Sequence, residues 1–186
     1  RGDKVAEFVH LHVHSDYSPM LGVAPVTELC RAARAQGADM LALTDTNGLY
    51  GAVRFIEVAS QAGLRPILGA ELTTAEHRAV LLAKTPEGYA NLCRLLSDRH
   101  CDPSFDFIAA VAARRTGLIL LTDHEQVLTS WAEQSCEDLY VELTPGHRMH
   151  QALLVSRRLG LLPVATNRVY CVRPEEFAVH RLLRAI

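Results

Sequence analysis

The sequence predicts an α/β fold, a sheet or barrel in which strands and helices alternate, and two observations lead there. Seven short β-branched or Leu-rich runs recur along the chain, and stretches of helical period separate most of them. In order, the runs span residues 8–13, 40–44, 66–70, 79–83, 118–122, 139–143 and 163–166. The helix-period segments span residues 25–36, 49–62, 86–97, 105–115 and 149–159. Pro25 and Pro86 fit first helical turns, while Gly37, Gly63, Gly117 and Gly160 fit the exits. Residues 123–137 carry the weakest pattern and predict one or two helical turns. One connection breaks the alternation. Ala70 and Ala79 are too close for a parallel crossover, which needs a dozen or more residues, so these strands are expected to pair as an antiparallel hairpin. Glu71 and His77 then lie at the same end of the sheet.

The 186 residues are 49% hydrophobic and 22% charged, which suits one compact domain. A chain of this size buries roughly 70% of the surface it exposes when unfolded, enough for a core without disulfides. Nineteen Lys and Arg against 21 Asp and Glu leave a net charge of −2, with no long run of either sign. That balance argues against a basic nucleic-acid clamp. Five scattered cysteines, with no CxxC pair and no secretory segment ahead of them, lead us to expect a reducing cytoplasm. No apolar stretch approaches the roughly 18 residues of a membrane span. The chain begins without Met and stops inside an apolar stripe (Val179, Leu182, Leu183, Ile186), so residues 1–186 are expected to be a single domain from a longer protein.

Within residues 8–14, polar and apolar side chains alternate, which places His10, His12 and His14 on one face of the first expected strand. Histidines at this spacing can reach one ion from the same side, and imidazole suits Zn, Fe, Ni and Cu; the alternative is an exposed strand face with solvated rings. Asp45 follows the apolar run Leu41-Ala42-Leu43-Thr44, at the kind of strand end where ligands gather. It can equally build the turn before Gly48. Glu71 ends another buried strand, and a buried glutamate needs a metal or a charged partner. His77 and His124 add imidazoles at further strand ends, whereas His100, His147, His150 and His180 show no partner spacing and are expected at the surface. Several histidines and a carboxylate around an ion with an open position activate water or polarise a phosphoryl oxygen, so metal-assisted phosphoester hydrolysis is the natural chemistry. The chain carries no GxSxG elbow, phosphate loop or GxGxxG turn.

An ordered set of motifs resembles the polymerase and histidinol phosphatase (PHP) domain, and more narrowly its version in bacterial C-family DNA polymerases, the DNA polymerase III alpha subunit and its error-prone relatives. The set comprises His10-Leu11-His12-Val13-His14-Ser15, Leu43-Thr44-Asp45, Gly69-Ala70-Glu71, Leu81-Leu82-Ala83-Lys84 with Gly88-Tyr89, and Ala165-Thr166-Asn167. The resemblance implies a distorted seven-stranded TIM-like βα barrel whose mouth holds up to three divalent metals on nine ligands. It assigns ligand positions to His12, His14, Glu71, His77 and His124, with His10, Asp45, Thr46, Arg168 and Tyr170 lining the site. Four ligand positions depart from the active pattern. Leu21 stands where an Asp precedes Gly22, Thr46 replaces the His of TDH, and Arg168 and Tyr170 occupy the positions of an Asp and a His.

An arginine in the mouth repels divalent ions and can replace a metal's charge by pairing with Glu71 or Asp45. The resemblance therefore implies a degenerate site, with Zn, Mn or Fe at reduced occupancy or no metal at all. The expected role is structural or partner-docking within a DNA polymerase of replication or repair synthesis. Its partners would be DNA, met through the parent polymerase, and a proofreading or replisome subunit. The competing expectation is a free-standing metal-dependent phosphoesterase acting on a phosphomonoester or a DNA 3′ end.

Overall fold

The computed structural model describes residues 8–185. Six strands lie in the order β1-β2-β3-β4-β5-β6: β1 (Met40–Leu43), β2 (Arg65–Thr73), β3 (Arg78–Ala83), β4 (Leu118–Thr122), β5 (Leu139–Leu143) and β6 (Pro163–Ala165). The expected hairpin is present. β3 runs antiparallel to both β2 and β4, with Glu71 opposite Val80, while the remaining neighbours are parallel. The helices are α1 (Val26–Ala35), α2 (Ala52–Gln61), α3 (Pro86–Cys101), α4 (Phe107–Ala113), α5 (Glu125–Ala132), α6 (Met149–Leu159) and α7 (Glu176–Leu183). Thr85 caps α3 by accepting from Gly88 N (3.1 Å) ahead of Pro86, and Asp106 caps α4 through Ala109 N (3.0 Å). The weakly patterned 123–137 segment holds α5, about two turns long.

Among the described residues six strands form where seven were expected, and their sheet is a curled half-barrel. Residues 8–14 form no regular strand: a bend at His12 interrupts the ladder and leaves one isolated bridge, Val13 to Val169. The His10 and Val13 carbonyls accept from Ala42 N (3.0 Å) and Thr44 N (2.9 Å) on the β1 side. On the other side, Val169 N donates to the His12 carbonyl and its own carbonyl accepts from His14 N, both at 2.9 Å. Val13 N donates to the Thr44 hydroxyl (2.8 Å) instead of to a strand partner. A bend at His12 also breaks the side-chain alternation, so that Leu11 and His12 both face inward.

Alternation in the strands themselves sorts the core into layers. Outward-facing Ala70, Leu72, Ala79, Leu81, Leu118, Leu120, Leu139 and Val141 pack under α3, α4, α5 and α6, around the fully buried Trp131. A second cluster joins β1 to α1 and α2 through Leu41, Leu43, Leu29, Phe55 and Ala59. Inside the curl, Ala42, Val80, Leu82 and Leu121 meet Leu11, Ile67, Ile119, Tyr140 and Val164, an apolar plug at one end that leaves a cavity of about 210 Å³. Glu71 lies two pleats past the inward face of Ile67, and Glu142 one pleat past Tyr140. Both carboxylates therefore stand in the layer above that plug, where burial obliges them to find partners.

Candidate metal centre

The two carboxylates meet around His12. Its Nδ1 lies 2.6 Å from Glu142 Oε1 and its Nε2 lies 3.4 Å from Glu71 Oε1, so one imidazole spans the curl from β5 to β2. Thr166 donates to the same Glu142 oxygen at 2.6 Å. Burial alone would pull His12 down, but the hydrogen bonds and charges of Glu142 and Glu71 outweigh it and raise its pKa above the usual value. Burial works against the Glu71 carboxylate as well, yet the hydrogen bond from His12 and the fields of His14 and His12 hold it down at about 2.

His14 Nε2 faces His12 Nε2 at 3.1 Å and Glu71 Oε2 at 3.8 Å. Its Nδ1 faces two hydroxyls, Ser18 Oγ and Thr46 Oγ1, both at 3.3 Å. Burial depresses His14 to about 3, so its ring is neutral near pH 7. The hydroxyl of Ser18 is delivered by a tight loop in which Ser18 N donates to Ser15 O, and Leu21 N and Gly22 N return to Ser18 O. That path needs glycine at 22, where a Cβ would collide with the Ser15 carbonyl.

Beyond this buried group lies a cavity of about 600 Å³, lined in part by Glu71, Thr46, His77, His124, Arg168 and Tyr170. Arg168 reaches Glu142 Oε2 with Nη2 at 3.5 Å; the sequence pointed to Glu71 or Asp45 as its partner. Tyr170 stacks on His14 with ring centroids 4.7 Å apart, and His180 of α7 stacks on Tyr170 at 4.5 Å. Arg78 closes another part of the wall, held by an ion pair with Asp123 at 2.8 Å.

Of the ligand positions the resemblance assigns, His12, His14 and Glu71 come together, with one donor atom from each within 4.8 Å of the others. His77 and His124 line the same cavity and meet edge to face at 6.2 Å, outside that three-residue group. Three expectations need correction. His10 does not share the face of His12 and His14; the bend at His12 turns it toward a separate cavity of about 130 Å³, beside Leu29, Gln36 and Cys171. Asp45 does not line the mouth, because Ser15 N (2.7 Å), Ser15 Oγ and Ser18 Oγ (2.6 Å) occupy its carboxylate beneath the loop. His180 is not a free surface histidine, since its Nδ1 lies 2.7 Å from the Leu21 carbonyl and its ring walls the cavity.

Glu142 was missed altogether. A single acidic residue in Leu139-Tyr140-Val141-Glu142-Leu143 reads as the exposed position of a strand, and only the curl shows that its face points inward.

The donor set fits one divalent ion. Two imidazole nitrogens and a carboxylate converge, a combination that Zn accepts, and of the three Glu71 borders the cavity. The set does not fit three ions. Leu21, Arg168 and Tyr170 supply the rest of the lining with an alkyl group, a cation and a phenol that burial keeps protonated, and Thr46 spends its hydroxyl on Glu71 (3.1 Å).

Fold and site together define a class: an α/β half-barrel with a histidine and glutamate group at its open end. Residues 10–141 match the PHP domain, and the chain belongs to that family. It is 35% identical to an error-prone DNA polymerase of Symbiobacterium thermophilum, over 96% of this chain and 21% of that protein. The DNA polymerase III alpha subunits of Vibrio cholerae and Buchnera aphidicola are 30% and 29% identical, each over 97% of this chain and 19% of theirs. The chain thus spans about a fifth of the length of these relatives. Among solved structures, a Bifidobacterium adolescentis protein assigned as a metal-dependent phosphoesterase superposes with a TM-score of 0.63 at 13% identity, covering 91% of this chain and 90% of that one. An amidohydrolase from Chromobacterium violaceum, with bound sulfate and no metal, gives 0.64 at 16% identity over 95% and 97% of the two chains. No helix among the described residues is long and apolar enough to cross a membrane.

Proposed function

We propose that this chain is the PHP domain of a bacterial DNA polymerase III alpha-type polymerase, with its phosphoesterase centre reduced to a site for at most one ion. Its work in the parent is structural support and partner docking, while DNA synthesis belongs to residues outside this chain. The observation that carries the reading is the Arg168 guanidinium in the cavity, 3.5 Å from Glu142, at a position where the active pattern has an acidic ligand. A fixed cation there neutralises a buried carboxylate without a metal and opposes the accumulation of divalent charge.

His12, His14 and Glu71 are the residues that would hold the remaining ion, with Glu142 orienting His12 from behind. Bound there, Zn or Mn would supply Lewis acidity toward a phosphoryl oxygen or water. The chain's own contribution is an apolar layer beneath His12 and a cavity that Glu71 borders beyond the buried group.

Metal content by inductively coupled plasma mass spectrometry tests the reading, paired with hydrolysis of DNA 3′ ends. At most one ion per chain is expected, lost in the His12→Ala, His14→Ala variant, with hydrolysis no faster than that variant's. Robust metal-dependent hydrolysis abolished by His12→Ala would establish the competing phosphoesterase.

A further inference from the structure

We infer that Ser18, backed by Asp45, is a positioning residue that fixes the tautomer of His14 and so makes its Nε2 an electron-pair donor. The inference rests on reading His12, His14 and Glu71 as the ion-holding group, and goes beyond it by assigning a task to two buried polar residues that touch neither cavity nor ion.

The argument is an accounting of hydroxyl protons. Asp45 is 2% exposed, and its carboxylate accepts from Ser15 N, Ser15 Oγ and Ser18 Oγ, hydrogen bonds that favour the ionised form against burial. Ser18 Oγ, fully buried, lies 2.6 Å from Asp45 Oδ1, so the Ser18 proton points at Asp45. The oxygen of Ser18 is then left to accept, and it does so from Thr46 N at 3.0 Å. The other hydroxyl facing His14 is committed in the same way. Thr46 Oγ1 donates to Glu71 Oε2 at 3.1 Å, leaving its oxygen as an acceptor. His14 Nδ1, 3.3 Å from each of these oxygens, meets two acceptors and no donor. The ring therefore carries its proton on Nδ1, shared in a three-centre bond. Nε2 is left with a lone pair directed at His12 and Glu71, the form in which imidazole binds a metal.

His12 is oriented by the direct version of the device, with Nδ1 against the Glu142 carboxylate at 2.6 Å. His14 has no carboxylate within reach of Nδ1. Its carboxylate, Asp45, acts one residue removed, through Ser18. The loop makes this possible: Ser15 N and Oγ hold the Asp45 carboxylate in place, and Ser18 N folds back onto the Ser15 carbonyl at 2.9 Å. Asp45 is thus bound to the site without lining it.

The test is the 15N tautomer signature of His14 in the metal-free 186-residue chain, read by long-range 1H–15N correlation, together with Co2+ affinity. The wild type is expected to show a protonated Nδ1 and a bare Nε2. Ser18→Ala with Thr46→Val removes both acceptors, and His14 should then transfer its proton to Nε2, toward the His12 ring. Co2+ affinity should fall about 10- to 100-fold in that variant. Ser18→Ala alone, which keeps the Thr46 acceptor and disturbs packing least, should give a mixed signature and decides the matter if the double variant does not fold. A wild-type ring protonated on Nε2, or a folded variant with an unchanged signature, overturns the inference. The expected signatures with no Co2+ binding by the wild type would uphold the relay and overturn the ion-holding reading instead.

Discussion

Arg168 and Glu142 form an ion pair across the open end of the curled sheet, Nη2 to Oε2 at 3.5 Å, with the carboxylate 2% exposed. The same carboxylate holds His12 through its other oxygen. Glu142 is therefore shared between a fixed cation and a ring that can bind an ion, and the two compete for its charge. Removing the guanidinium should strengthen ion binding. Arg168→Ala is expected to bind Zn2+ about tenfold more tightly, equivalent to about 1.4 kcal/mol, by competition against a chromophoric chelator. Affinity unchanged or weakened would mean that Arg168 exerts no field on the group.

Glu142→Gln acts on the opposite side of the pair. The amide keeps the shape but loses the charge that, with Glu71, lifts His12 above its usual pKa against the pull of burial. The His12 pKa should fall, as read from its ring resonances, and Zn2+ affinity should drop about 10- to 100-fold. Stability should fall too, because Arg168 loses its carboxylate partner and stays partly buried. A variant in which His12 titrates as in the wild type would detach Glu142 from the site.

The ion-free protein should be most stable near pH 6.5 and lose stability in both directions. His14 sits at about 3, below its usual value, so the unfolded chain takes up a proton first as pH falls through 6.5 and folding is opposed. Glu71 sits at about 2, so its contribution is present above its ordinary value of about 4.5 and drains away as pH falls toward 2. That 2.5-unit difference corresponds to about 3 kcal/mol. His12 is shifted the other way. Its contribution is full below 6.5 and is lost as pH rises through its elevated folded value. Urea unfolding across pH 3 to 9 reads this profile, and a curve rising steadily from pH 6.5 to 9 would contradict it.

The residues most legible in the sequence were those whose spacing is itself the signal. His12 and His14 stand two apart, and Glu71 closes an apolar run, so local pattern alone proposed them. Four of the six strands lie within the runs that composition predicts, and β2 and β3 extend beyond theirs, because both faces of this sheet are apolar and such strands read as continuous hydrophobic stretches. The first segment failed for a physical reason. Its alternation is real, but Thr44 takes the Val13 amide and the bend at His12 sends His10 outward. Glu142 and His180 were illegible because their roles exist only in three dimensions. The curl turns the face of Glu142 inward, and α7 returns to place His180 on Tyr170. Asp45 was noticed for the right motif and given the wrong place, since nothing in Thr44-Asp45-Thr46 announces that Ser15 and Ser18 will enclose it.

That enclosure gives the last prediction. Gly22 is the residue at which the loop closes on itself, with its amide on Ser18 O and no room for a Cβ against the Ser15 carbonyl. Gly22→Ala cannot be absorbed by rotating a side chain, because the obstacle is backbone. The loop must open, and as it opens Ser15 and Ser18 withdraw from Asp45, leaving a carboxylate buried without its donors. The expected cost is about 2–4 kcal/mol in urea unfolding, well above the few tenths to 1 kcal/mol gained where alanine fits a glycine site. Exposure of the loop should follow, seen as faster hydrogen exchange at the Ser18, Leu21 and Gly22 amides, with weaker Zn2+ binding as His14 loses its Ser18 acceptor. Wild-type stability and exchange in Gly22→Ala would show that the loop is not what holds Ser15 and Ser18 against Asp45.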